Sequence, residues 1–263
     1  MKKLLTYSLV WIVILIYMTI TLSFVAKKES GINCRQLRIY IADYPVHRFI
    51  SKHDILSLME KHQVNCIGKL LPSINTHRTE SLLYALPAVK QAEVYITSDS
   101  TLNIYIKQRT PILRIIDAYH RSYYIDEEGI IMPSSENFSA YTLLATGYIT
   151  EWIPLRRNQS IFLKDSTGQI QQTQLTGLYT LASYINDDEL WKSQIEHIYV
   201  NPYKEYVLIP RVGSHVILFG DIERMEGKFN KLRKMYKVMN ATGWNVYSVI
   251  NLKYKNQIVC TRK

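Results

Sequence analysis

The sequence predicts an α+β protein: an N-terminal transmembrane helix, a small βααββ module, then a mixed α/β domain with a largely antiparallel sheet. Three observations lead there. The chain opens on a long apolar run without charge, from Leu4 to Val25. Between Cys34 and Gln108 the spacing of apolar residues switches from alternation to a helical period and back. Beyond Pro111, short alternating segments return, bounded by Gly, Pro, Asn and Asp and interrupted by two helical stretches.

The apolar run comes first. About twenty residues at helical rise cross a hydrocarbon core roughly 30 Å thick. Lys2 and Lys3 precede the run, and Lys27 and Lys28 follow it. A cleaved signal peptide is the competing reading, but a cut after Ala26 would put Phe24 at the upstream position where a small residue belongs. Flanking charge alone does not orient the helix, because Lys27 and Lys28 are offset only by Glu29. The tail ahead of it is tiny, so the expected topology has residues 1–3 in the cytoplasm, a membrane span over 4–25 and the remainder outside.

The first module spans 34–110. Leu37, Ile39 and Ile41 alternate with Gln36, Arg38 and Tyr40, which is the pattern of a half-buried strand. Ser51 and Asp54 form a variant capping box ahead of a helix carrying Ile55, Leu56, Leu58 and Met59. Asn75 is placed to cap a second helix, whose Leu82, Leu83 and Leu86 lead to a stop at Pro87. Two strands close the module. Ala92, Val94 and Ile96 face inward on one, Leu102, Ile104 and Ile106 on the other, with a turn at Ser98–Ser100. Arg109 leaves the last strand, and Pro111 cannot donate to a ladder, so the pair marks a boundary.

The second module spans 111–263. Tyr123–Pro133 reads as a hairpin turning at Glu127–Gly129, and Leu143–Thr146 as a strand ended by Gly147. From Ile149 to Gly168 no period is evident. Leu178, Leu181, Ala182 and Ile185 share a helical face, and a meander follows over Ile195–Val200, Tyr206–Ile209 and His215–Phe219. Asp221 is the expected cap of a helix with Met225, Phe229, Leu232, Tyr236 and Met239 inside, ending at Gly243. Its expected solvated face carries Lys228, Lys231, Arg233, Lys234 and Lys237. From Val246 to Cys260 the even positions are largely apolar and the odd ones include Asn251, Lys253, Lys255 and Gln257, which predicts a long strand, or two strands linked by a bend.

Several of these segments carry a resemblance. The βααββ order is that of a POTRA domain. The stretches Pro87–Tyr95 (PAVKQAEVY) and Leu102–Ile112 (LNIYIKQRTPI) resemble a signature of the bacterial cell-division family FtsQ/DivIB. Tyr123–Pro133 (YYIDEEGIIMP) is similar to that family's hairpin, and Val249–Val259 (VINLKYKNQIV) to its closing strand. Asn251 and Lys253 depart from the Asp and Arg usual there, and Lys cannot form the bidentate pair open to Arg. The resemblance implies a POTRA-like domain followed by an FtsQ-type β domain, anchored in the inner membrane at the division site with the domains in the periplasm. It implies a non-enzymatic scaffold that recruits FtsB/DivIC-type and FtsL-type proteins by strand addition, with other inner-membrane division proteins docking on the POTRA-like domain. Carried onto this sequence, the partner-binding edge is Tyr254, Lys255, Asn256, Gln257, Ile258 and Val259, with Lys253 and Lys255 steering an acidic partner.

Composition and motifs agree with that class. Hydrophobic content of 47% with 21% charged residues is that of a folded chain. The net charge of +10 is spread along the sequence instead of gathered in a phosphate-binding arm, so an anionic membrane or cell wall suits it better than nucleic acid. No HExxH, Walker A, GxSxG or GxGxxG motif occurs, and no cofactor or metal is expected. A membrane-anchored periplasmic cell-wall hydrolase or transpeptidase is the alternative. Its nearest cue, Gly213-Ser214-His215, lacks the glycine pattern of a nucleophile elbow and reads as a turn. Asp126-Glu127-Glu128 is expected as a solvated hairpin tip. Cys34, Cys66 and Cys260 cannot all pair within one chain and fit no zinc spacing; buried free thiols are expected, a Cys34–Cys66 disulfide being the alternative.

Overall fold

The computed structural model describes residues 11–21, 31–135, 138–151, 153 and 158–263. They divide into two compact units: Met1–Val46 with Ile50–Gln108, and His47–Phe49 with Arg109–Lys263.

Residues 11–21 form helix α1. Trp11, Ile12, Val13, Ile14, Leu15 and Ile16 are all exposed. Thr19 and Thr21 turn their hydroxyls back onto the carbonyls of Ile16 and Tyr17, at 2.8 and 2.9 Å. Of the expected span, 4–10 and 22–25 lie outside the described residues; among the described residues no helix is long and apolar enough to cross a membrane.

The rest of the first unit runs β1 (Gln36–Ile41), α2 (Lys52–Lys61), a 3-10 turn at Leu71–Ser73, α3 (Thr76–Leu83), β2 (Val89–Ile96) and β3 (Thr101–Gln108). The capping box at Ser51 forms in both directions: its Oγ accepts from the Asp54 N–H at 3.2 Å, and the Asp54 carboxylate accepts the Ser51 N–H at 2.8 Å. Asn75 caps α3 by accepting from the Arg78 N–H at 2.8 Å. The sheet order is β1-β3-β2, with β1 parallel and β2 antiparallel to the central β3. Ala92, Val94, Leu102, Ile104 and Ile106 are buried, as are Ile55, Met59 and Leu83 of the two helices. Alternation in the strands and the helical period in between therefore converge on one core, as the sequence predicts.

The second unit holds β4 (Pro111–Ile116), β5 (Ser122–Asp126), β6 (Ile131–Pro133), β7 (Leu143–Gly147), α4 (Gln174–Asp187), α5 (Glu189–Gln194), β8 (Ile195–Val200), β9 (Tyr206–Pro210), β10 (Val216–Gly220), α6 (Met225–Thr242), β11 (Tyr247–Asn251) and β12 (Val259–Arg262). Its nine strands form one sheet in the order β12-β11-β10-β9-β8-β7-β4-β5-β6. Most pairs are antiparallel, and three are parallel: β4 with β7, β7 with β8, and β10 with β11. Leu113, Ile115, Ile198, Leu208 and Ile217 on the strands share one core with Leu178, Leu181 and Ile185 of α4, Trp191 of α5, and Phe229, Leu232, Tyr236 and Met239 of α6. The other sheet face alternates with this one and is only partly buried on β4, β9 and β10. Gly147 ends β7 at φ +102°, where a Cβ would come within 2.2 Å of the Val200 carbonyl oxygen, so no other residue fits that close approach to β8.

The sheet's two ends differ. Beyond β6, the Ile131 N–H donates to the Gln159 carbonyl at 2.9 Å, Ile161 donates to Gly129 at 2.9 Å, and Pro133 has no N–H to offer. That end is covered by the chain itself. At the other end, no described strand lies outside β12.

Three expectations are corrected here. Asp221 does not cap α6, whose first turn is preceded by Arg224 at φ 52° with no side-chain cap; Asp221 instead accepts from the Glu223 N–H at 3.0 Å and from Lys228. Lys228 is not on a solvated face. It is only 3% exposed, and its Nζ donates to the Asp221 carboxylate at 2.7 Å and the Asp221 carbonyl at 2.8 Å. Third, Asp126 is fully buried instead of solvated. Its carboxylate accepts the Glu128 and Ile130 N–H groups at 2.9 and 2.7 Å and the buried Arg109 guanidinium at 2.8 Å.

Arg109 does more than mark a boundary. The same nitrogen reaches Glu128 at 3.1 Å, and Nη2 reaches the Asn158 amide oxygen at 3.0 Å, so one side chain ties the β5–β6 hairpin to the loop beyond it. Removing the cation leaves a buried carboxylate without its partner, a change that costs about 3–5 kcal/mol. Arg109→Ala should therefore lower the stability of this unit by about that amount in urea unfolding, with a smaller loss for Arg109→Lys.

Candidate functional site

The sheet's open end is the natural place for a functional surface. There α6 crosses over and brings β11 alongside β10 in parallel, Val216 facing Val249 and Ile217 facing Ile250. β12 then pairs antiparallel with β11, Ile250 opposite Cys260 and Asn251 opposite Val259. The predicted long element over Val246–Cys260 is thus two strands linked by a bend.

That bend corrects the expected edge. Tyr254, Lys255 and Asn256 form a bend, Gln257 and Ile258 are irregular, and only Val259 lies on a strand, as the first residue of β12. The apolar alternation that suggested a strand runs on through this segment, but burial ends at Leu252; Tyr254 and Asn256 are exposed. The loop is held by a single cation. Lys231 of α6 donates to the carbonyls of Leu252 at 3.2 Å, Tyr254 at 2.5 Å and Gln257 at 3.4 Å, three acceptors for the three ammonium hydrogens. Burial, reinforced by Arg224 and Lys228 nearby, pushes the Lys231 pKa down from the ordinary lysine value.

The outer edge of the sheet at this end is β12 itself. Lys263 donates its N–H to the Val246 carbonyl at 3.2 Å, and the Thr261 carbonyl accepts the Ser248 hydroxyl at 3.2 Å, so the odd positions of β12 face β11. In an antiparallel ladder alternate residues turn the other way. Cys260 and Arg262 therefore direct their backbone N–H and C=O away from β11. The surroundings are basic. A cavity of about 320 Å³ under the loop is lined in part by Arg224, Lys228, Lys231 and Lys255. Lys253 contributes less to this field than expected, because it donates to Glu205 at 2.7 Å and that bond holds the Glu205 carboxyl below its ordinary pKa.

The remaining chemistry cue dissolves into structure. Ser214 donates its hydroxyl to the Asn245 side chain at 3.1 Å, while His215 is 2% exposed and turns Nε2 toward the Tyr236 hydroxyl at 3.4 Å. The imidazole lies edge-on to Tyr236 and stacked on Trp244, with centroids 5.8 and 6.4 Å apart, so it fixes the end of α6 over β10. Among the described residues no group of three or more His, Cys, Asp or Glu side chains converges as a metal site.

A βααββ unit of the POTRA type, followed by a wide mixed sheet whose last strand is paired on one side among the described residues, defines a two-module protein. A family model described as FtsQ/DivIB, C-terminal related, matches residues 110–261, and a POTRA-like domain model matches residues 32–107. The chain belongs to the FtsQ/DivIB family, which ties it to bacterial cell division. No curated protein matches it significantly.

Two measurements follow. Lys231→Met should leave the sheet intact while amide hydrogen exchange over 253–258 accelerates roughly ten- to hundredfold, since hydrogen bonds from a charged group are worth about 1.5–3 kcal/mol. Burial lowers the pKa of both His215 and His197. Each takes up a proton less readily in the folded unit than in the unfolded chain, where the imidazole protonates near pH 6.5. The associated stability is complete above that pH and is lost as pH falls below it. Urea midpoints should drop between pH 7 and 5, and a His197→Gln/His215→Phe variant should flatten that slope.

Proposed function

We propose that the protein is a non-enzymatic scaffold of the bacterial division complex, anchored in the inner membrane, that captures FtsB/DivIC-type and FtsL-type partners by strand addition at β12. The observation that carries this reading is the outward-facing backbone of Cys260 and Arg262 on the last strand of a nine-stranded sheet. An added strand would draw affinity from main-chain hydrogen bonds and choice from alternate side chains. Arg262, Lys263 and the exposed Lys255 would favour an acidic segment. The loop Tyr254–Ile258 would flank that partner instead of pairing with it, as Lys231 already occupies carbonyls there.

The anchor reading rests on the exposed apolar side chains of α1 and its self-satisfied threonine hydroxyls, features that suit a lipid environment. On this reading the N-terminus is cytoplasmic and both units are periplasmic, concentrated at the division site. The POTRA-like unit would dock other inner-membrane division proteins.

Proline offers a clean test, because it is tolerated where the lost N–H faces outward. Arg262→Pro should leave the unfolding midpoint within a few degrees of the parent and weaken capture of an FtsB/DivIC-type partner about tenfold or more. Thr261→Pro, which strikes the ladder to β11, should lower stability as well. Undiminished capture by a folded Arg262→Pro protein discards the edge.

A further inference from the structure

Cys34 lies between α1 and β1, and Cys66 lies in the loop after α2. Both are free thiols in this structure, 2% and 1% exposed. The backbone around them is locked together. The Cys34 N–H donates to the Lys69 carbonyl at 2.8 Å, Gly68 donates to the Cys34 carbonyl at 2.9 Å, and Leu71 donates to the Ile32 carbonyl at 2.9 Å. Asn33 and Leu70 form an antiparallel bridge, and Lys69 closes a turn by donating to the Cys66 carbonyl at 3.1 Å. Two short segments far apart in sequence thus form a small ladder that brings one cysteine against the other. Burial, and after it the neighbouring Cys34 thiol, pushes the Cys66 thiol up to about 11.

Other roles for such a pair fit poorly. A redox-active cysteine needs an accessible site that favours the thiolate, and Cys66 has neither. A zinc site needs more ligands, and none converge here among the described residues. Cys260 belongs to the other unit, on β12.

We propose that Cys34 and Cys66 close to a structural disulfide when the chain folds outside the cytoplasm; the location rests on the reading under Proposed function. The oxidant is an external disulfide. A thiolate of the still-open chain attacks it and releases one thiol, and the second cysteine then displaces the other. One protein S–S bond forms, and two electrons and two protons end on the two thiols released. Oxidation precedes closure of the module, since burial suppresses the attacking thiolate afterwards. The bond ties the segment that follows α1 to the α2–α3 loop. A pull on the anchor then reaches that loop before it reaches β1, which among the described strands pairs only with β3.

Thiol counting on the full-length chain tests this. Cells are lysed directly into denaturant with an excess of maleimide, and the protein mass is measured with and without prior reduction. The expected result is one labelled thiol, Cys260, without reduction and three after it, with a peptide cross-link joining Cys34 to Cys66. Cys34→Ser should raise the unreduced count to two, and Cys260→Ser should lower it to none. Reduction should lower the thermal midpoint of the N-terminal unit by about 10 °C or more, and Cys34→Ser should abolish that sensitivity. Three labelled thiols from unreduced cells overturn the proposal. Refolding the purified chain with oxidised glutathione then locates the fault. A Cys34–Cys66 link formed there shows that the compartment was misread, and its absence shows that the pairing itself is wrong.

Discussion

The parallel contact between β10 and β11 governs the rest of the functional unit. Two strands can run parallel only when the connection crosses over the sheet, and here α6 makes that crossing with its buried stripe of Phe229, Leu232, Tyr236 and Met239 on the core. With β11 seated beside β10, β12 pairs along its outer side and is the outermost strand among the described residues. The open edge is therefore a product of helix packing as much as of strand pairing. His215 and Trp244, stacked at the far end of α6, and Lys231, bonded to the loop before β12, act at the two ends of this one device.

Much of this was legible in the sequence. The capping box at Ser51, the Asn75 cap, the hairpin after Tyr123 and the α6 stripe each follow from local chemistry, and each formed as read. What escaped is what only tertiary structure decides. A buried strand looks the same whether its neighbour runs parallel or antiparallel, so β4, β7 and β8 gave no hint of their shared direction. Lys228 stood in a row of basic residues expected to be solvated, and nothing local announces that Asp221 would receive it in the interior.

The strand expected over Tyr254–Ile258 gave way to a bend for a related reason. Apolar alternation continues from Ile250 through Tyr254 toward Ile258, and alternation is all that the sequence offers as evidence of a strand. The bend over Tyr254–Asn256 is imposed from outside, by an ammonium group on another element that gathers three carbonyls. Arg109 likewise announced itself as punctuation between modules. Its role emerges only once Asp126 is seen without solvent. In both cases the decisive partner lies in another element.

The difference between the two ends of the large sheet has a consequence for self-association. Sheets with two bare margins can stack copy on copy without limit, which is the route to fibres. Here the β6 margin is plugged by residues 159–161 and by Pro133. Among the described residues of this sheet that leaves β12 as the bare margin, and two copies joined β12 to β12 form a closed pair. Copies of this sheet therefore do not extend one another margin to margin without limit.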